Sequence, residues 1–190
     1  MLMKGEVEIK THTGGGLVRA LLRAVAATET FFVNTYIARS SAEIWFAPGV
    51  PGDIAAIELR SDDWIVQDSS YLAHSGDIEL SIAWKGFRGL FAEGELVWLK
   101  LHGRGVAWIN SYGAIEKVEL GPGERRVVDN FHFVAMPANT SYRVRKFGGI
   151  KSFFFGGEGV VIEVEGPTTL YLQTRILPPF AYTIKRYIGR

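Results

Sequence analysis

The chain of 190 residues carries 21 Lys and Arg against 20 Asp and Glu, for a net charge of +1, and has no cysteine. A charge so close to neutral does not by itself call for nucleic acid or an anionic membrane, so only local clusters could make that case. Without cysteine there are no disulfides, no thiolate metal sites and no cysteine nucleophile, a composition that fits a reducing, cytoplasmic setting.

In chain order, MLMKGEVEIK (1–10) places Glu6 and Glu8 where a secretory signal needs an unbroken apolar core. No apolar run approaches the roughly 20 residues that span a bilayer. GLVRALLRAVA, Gly16 to Ala26, predicts one short helix with Arg19 and Arg23 a turn apart. It reads as the cap of an open barrel end or a subunit contact rather than a membrane-surface anchor. The remainder leans to strands, with 22 glycines, 13% aromatics and short β-branched runs punctuated by Gly and Pro. VWLKLH (97–102) alternates Val97, Leu99 and Leu101 with Trp98, Lys100 and His102, the period-two pattern of a half-buried strand, and VVIEVE (160–165) does the same.

The chain also echoes itself. Laid without gaps over VELGPGERRVVDNFHFVA (118–135), IELRSDDWIVQDSSYLA (57–73) matches Glu58 to Glu119, Leu59 to Leu120, Val66 to Val127 and Asp68 to Asp129. A second echo sets 90–111 over 153–174, and a fainter copy of that half runs from Glu29 to Phe46. Such self-similarity predicts an incomplete first repeat at 1–52, full repeats at 53–116 and 117–177, and an arm at 178–190. MLMKGEVEIK then occupies the end of a unit whose leading half is missing. The Pro178–Arg190 arm, from the same or a neighbouring chain, is expected to lie over the resulting edge.

Several blocks, VEIKTHTGGGLVRALLRA, APGVPGDIAAIEL, WIVQDSSYLA, GLFAEGELVWLKLHGRGVAWINSYGAI, VVDNFHFVAMPANTSYRV and GGEGVVIEVEGPTTLYLQTR, resemble the family named in eukaryotes for altered inheritance of mitochondria. The QTR ending with its preceding EGP turn is the most specific of these marks. The resemblance implies a repeated, all-β fold similar to the tryptophan RNA-binding attenuator protein, usually in an oligomer. It implies no reaction and brings no catalytic residues. The expected fold is therefore all-β, built of internally repeated antiparallel sandwich or short double-stranded β-helix units, with one short helix.

Among candidate chemical groups, His12, His74, His102 and His132 lack the His-x-His spacing of a metal site and read as surface imidazoles. Asp68 and Asp129 each precede a turn-like pair and read as turn caps rather than an acid/base couple. The glycine clusters at 14–16 and 103–105 lack the Gly-Lys-Ser/Thr ending of a phosphate loop. Two basic stretches carry the binding case. YRVRKFGGIK holds Arg143, Arg145, Lys146 and Lys151, and the tail holds Lys185 and Arg186 among Phe180, Tyr182 and Tyr187. Cations interleaved with aromatics suit RNA, although the same pattern also describes the wet face of a strand and a packing arm. The expectation is a non-enzymatic homo-oligomer, a trimer or ring, that binds or scaffolds, with RNA as its candidate ligand and no metal or cofactor. The rival is a metal- or small-ligand-dependent enzyme of cupin-like β fold using Asp129 and His132.

Overall fold

The computed structural model describes residues 2–12, 33–86, 96–146 and 160–188. The first four strands are β1 (Leu2–Lys4), β2 (Val7–His12), β3 (Val33–Ala38) and β4 (Glu43–Trp45). Next come β5 (Ile54–Arg60), β6 (Trp64–Gln67), β7 (Tyr71–Gly86) and β8 (Leu96–Asn110). The last six are β9 (Ile115–Leu120), β10 (Arg125–Asp129), β11 (Phe133–Pro137), β12 (Ser141–Lys146), β13 (Val160–Glu165) and β14 (Thr168–Gln173). One helix, α1 (Leu177–Ile188), closes the described chain. Every ladder is antiparallel, as the strand-rich sequence predicts. The helix predicted at Gly16 to Ala26 lies outside the described residues.

The largest sheet has seven strands in the order β5-β8-β6-β11-β14-β9, with β7 also on β8. Two hydrophobic clusters form on it. The first gathers Ile57, Leu59, Trp64, Val66, Val97, Leu99, Leu101, Val134 and Ala135. The second gathers Ile65, Trp98, Val128, Phe133, Met136, Ile162, Val164 and Leu170. Strands β6, β8 and β11 feed both clusters, so each is buried on two faces. The half-buried reading of VWLKLH holds for Lys100 and His102, which meet solvent, and is corrected at Trp98. Val97, Leu99 and Leu101 enter one cluster, and Trp98, on the face expected to be wet, is fully buried in the other against Phe133 and Tyr142.

Strand β8 serves two neighbours in succession, pairing Trp98 to Leu101 with β6 and Arg104 to Asn110 with β5. Between them lies Gly103, at φ +124°, where an added Cβ would stand 2.0 Å from the Asp77 carbonyl oxygen of β7. Only a residue without a Cβ fits both that backbone angle and that approach.

The pairing plan of residues 54–110 recurs in 115–173. Ile57 opposes Ala107 as Val118 opposes Leu170, and Trp64 opposes Leu101 as Arg126 opposes Val164. Ala73 opposes Trp108 as Ala135 opposes Tyr171, and Leu80 opposes Leu101 as Tyr142 opposes Val164. The gapless sequence match is off by one residue after the first strand. Register makes Val128 the counterpart of Val66, and both are buried, whereas Val127 is 57% exposed. Asp68 likewise corresponds to Asn130, each opening a 3-10 turn (Asp68–Ser70 and Asn130–His132), rather than to Asp129. One extra residue sits in the GPGE turn, which costs little in a solvent-exposed connection.

Strands β1 to β4 form two separate two-stranded sheets, β1-β4 and β2-β3. Their pairings parallel β11-β14 and β12-β13, with Leu2 opposite Trp45 as Ala135 is opposite Tyr171. None of the described residues of 2–12 and 33–50 belongs to either hydrophobic cluster.

Candidate functional site

The predicted basic stretch falls on the three-stranded sheet β10-β13-β12. Arg143 faces Glu163 across the ladder, while Ser141 and Arg125 flank Glu165 from the two sides. These side chains, with Tyr142, line a shallow polar cleft. Of the two cations lining it, Arg125 pairs with Glu165 at 3.0 Å, and Arg145 on the same sheet pairs with Glu163. Exposed pairs of this kind contribute up to about 1 kcal/mol each, and their chief effect here is to cancel the field a phosphate would feel. Arg143 is exposed and makes no ion pair among the described residues. The backbone of Lys146 ends β12, and Lys151 lies outside the described residues.

Lys185 and Arg186 sit in the last turn of α1, where cations complement the helix dipole. The aromatic tail expected as a packing arm is helical over Leu177–Ile188. Pro178 and Pro179 stand in its first turn, where the missing N–H groups would have had no helical partner. Leu177, Phe180, Ala181, Ile184 and Ile188 recur at helical spacing and line an apolar groove along it. Phe180 rests on Tyr112 at 5.7 Å between ring centres, and residues 2–6 and 9–11 remain exposed. Within one chain the arm thus packs beside the β8–β9 connection and does not cover β1 and β2.

The Asp129 and His132 neighbourhood is committed to backbone. Asp129 Oδ1 accepts the Phe131 N–H at 2.9 Å and caps the 3-10 turn, as the turn-cap reading expects. His132 Nδ1 lies 2.6 Å from the Gln173 carbonyl oxygen. The Gln173 amide donates to the Phe131 carbonyl at 2.7 Å and accepts from the Tyr112 N–H at 2.9 Å. Thr174 Oγ1 accepts the Ala114 N–H. The QTR ending is therefore a clamp that fastens the β8–β9 connection to the second 3-10 turn. In the first half Asn110 plays the matching part, donating to the Ser69 carbonyl at 3.4 Å.

The histidines divide. His102 is exposed and meets Asp63, whose carboxyl is held below its usual range by Lys100 at 2.6 Å and by His102 itself. His74 and His132 are half-buried, which corrects the expectation of surface imidazoles. The Tyr71 hydroxyl meets His74 Nδ1 at 2.6 Å, and burial pushes the Tyr71 pKa up and the His74 pKa down. The side chain of His12 lies outside the described residues. No cluster of three or more His, Asp or Glu suited to a metal ion occurs among the described residues. None of their helices is long and apolar enough to cross a membrane.

A family model described as Mitochondrial biogenesis AIM24 matches residues 1–175. The chain belongs to this family. An uncharacterised protein of Streptococcus pyogenes serotype M6 is 30% identical over 176 residues, covering 92% of this chain and 71% of its own length. A crystal structure of a Streptococcus pyogenes protein superposes with a TM-score of 0.80 at 29% identity, over 98% of this chain and 84% of the other. Membership in the AIM24 family agrees with the resemblance carried by the QTR block, and the neighbour shares the fold.

Proposed function

We propose that the protein is a non-enzymatic, oligomeric binding or scaffolding module built from three related strand units, 1–52, 53–116 and 117–177, with 178–190 as an arm. The observation that carries this reading is its open apolar surface. Leu2, Met3, Ile9 and Trp45 are exposed on the first four strands and Phe46 just after them, as are Leu177, Phe180 and Ile188 on α1. Large apolar side chains gathered on strands with open edges mark surfaces that other chains cover. Light scattering of the full chain at micromolar concentration tests it. An assembly of two or more chains is expected, and a monomer throughout would overturn the reading.

A second reading, that the assembly binds RNA, is favoured by Arg143, which has no ion-pair partner among the described residues, and by α1, which carries cations and no acid. Replacing Arg143, Lys185 and Arg186 with Gln is expected to weaken RNA retention and flatten its salt dependence. Protein that retains no RNA at low salt removes this second reading and leaves the first intact. The Asp129 and His132 pair supports the enzyme reading less well, because both side chains already hold backbone groups.

A further inference from the structure

We infer that the chain joins to a second copy of itself through the edge of β1 on one copy and the edge of β10 on the other. This inference rests on the oligomeric reading above and specifies its interface.

The template for the joint lies within the chain. Strands β6 and β11 pair antiparallel, with Val66 opposite Ala135, Ile65 opposite Met136 and Trp64 opposite Pro137, and the Ala138 N–H continues the ladder to the Asp63 carbonyl at 2.8 Å. This pairing is where the half of the molecule containing β5 to β8 meets the half containing β9 to β14. Both faces of the joint are buried, with Ile65 at 4% and Met136 at 0% exposure.

The strands corresponding to these two are both open. By register β10 is the counterpart of β6, with Arg126, Val127 and Val128 standing for Trp64, Ile65 and Val66. Among the described residues it pairs with β13 on one side and with no strand on the other. By its aromatic partner β1 is the counterpart of β11, with Leu2, Met3 and Lys4 standing for Ala135, Met136 and Pro137. Among the described residues it pairs with β4 alone. Side chains at the centre of the internal joint thus have counterparts that are apolar yet exposed, Met3 at 45% and Val127 at 57%. Val127 has no other evident reason to stand among Arg125, Glu163 and Glu165 on a polar sheet face. Pairing β1 of one copy with β10 of the next in the same register sets Leu2 opposite Val128, Met3 opposite Val127 and Lys4 opposite Arg126. The cations of the last row each bring an acid, since Lys4 faces Glu43 across β1-β4 and Arg126 pairs with Glu124 at 3.6 Å.

The two edges differ, so the contact is heterologous. It builds a closed ring where the rotation closes and an open chain where it does not.

The absence of cysteine makes the test clean. Directly opposed positions in an antiparallel pair bring Cα atoms to about 4.5–5.5 Å, within disulfide range. Met3→Cys and Val127→Cys variants of the full chain are oxidised separately and as a mixture. A covalent dimer is expected in the mixture and in neither variant alone, and the double variant is expected to give a ladder or a covalent ring. Overturning results are a disulfide dimer of either single variant, an internal bridge in a monomeric double variant, or an assembly that persists without cross-linking. The last of these sinks the interface and spares the oligomeric reading, whereas a monomer at every concentration sinks both. As an independent check, Val127→Lys is expected to leave the thermal melt of the diluted chain unchanged and to weaken association at least tenfold. Unchanged association would overturn the joint.

Discussion

The strands of residues 2–50 and those of residues 133–173 have the same pairings and opposite surroundings. In both, a short strand pairs with one bearing an aromatic residue, β1 with β4 and β11 with β14, and a longer pair follows, β2 with β3 and β12 with β13. Yet Trp45 is 59% exposed while Phe133, Val134, Ala135 and Met136 are all buried. The ladder is therefore not the source of the core. Burial comes from the strands on the other side, with β6 against β11, β9 against β14 and β10 against β13. Among the described residues of this region, 2–12 and 33–50, no strand takes those three places. A two-stranded ribbon alone is marginal in water, and a third strand or a covering face gives it independent stability.

The sharpest way to break this comparison is to truncate one tryptophan in each region. Trp98→Ala removes a fully buried side chain that packs on Phe133 and Tyr142, and should cost about 3–5 kcal/mol in chemical denaturation. Trp45→Ala removes an exposed one and should change the stability of the dilute chain by no more than about 0.5 kcal/mol. Equal losses would mean that residues 2–50 share the core after all. Gly103→Ala should fall next, at about 1–3 kcal/mol, because it forces a positive φ on alanine and drives a methyl onto the Asp77 carbonyl. A melt unchanged by Gly103→Ala would show that the β7–β8 approach relaxes freely.

Local features of the fold were the legible ones. Alternation located β8 and β13, and the aspartate at 129 was read as a turn cap from its neighbours alone. Features that depend on partners distant in sequence were not. Nothing near Trp98 announces that a second cluster closes over it, because Phe133 and Ile162 arrive from other strands. Arg145 looks like a free cation in YRVRK until β13 brings Glu163 beside it. The one-residue offset between Val66 and Val128 was hidden by the chance match to Val127, and only register exposes it. Helix α1 was missed for a different reason. Its sequence signs are the prolines Pro178 and Pro179, which suit a first helical turn, and the helical period of Phe180, Ile184 and Ile188, both overshadowed by the aromatic and basic content of the tail.

The two halves that share the core also differ in how they hold their 3-10 turns, and pH separates them. Beside the first turn His74 packs on Tyr71, and burial holds its pKa below the ordinary 6.5. A histidine depressed in the folded state binds a proton more readily when unfolded. Its contribution to stability is whole above pH 6.5 and declines as the pH falls through that value toward the lower folded pKa. Urea midpoints of the wild-type chain should therefore drop between pH 7 and pH 5, and His74→Gln should flatten the drop. An equal drop in the variant would assign it to another group.

The smallest effect belongs to Asp63, which sits at the end of the internal joint and gathers Lys100 and His102. Its carboxyl is held below its usual range by hydrogen bonds from these two side chains, so its contribution is present above the ordinary 3.8 and is lost as the pH falls through the lower folded value. All three side chains meet solvent, and such networks contribute about 0.2–1 kcal/mol. Asp63→Asn should thus cost no more than that at pH 7, with the loss shrinking further in 1 M salt as screening shortens to about 3 Å. The backbone carbonyl of Asp63, which accepts the Ala138 N–H, is untouched by the substitution. A cost well above 1 kcal/mol that survives high salt would mean that the side chain orients this last rung of the β6–β11 ladder. The ion pairs would then belong to the joint itself.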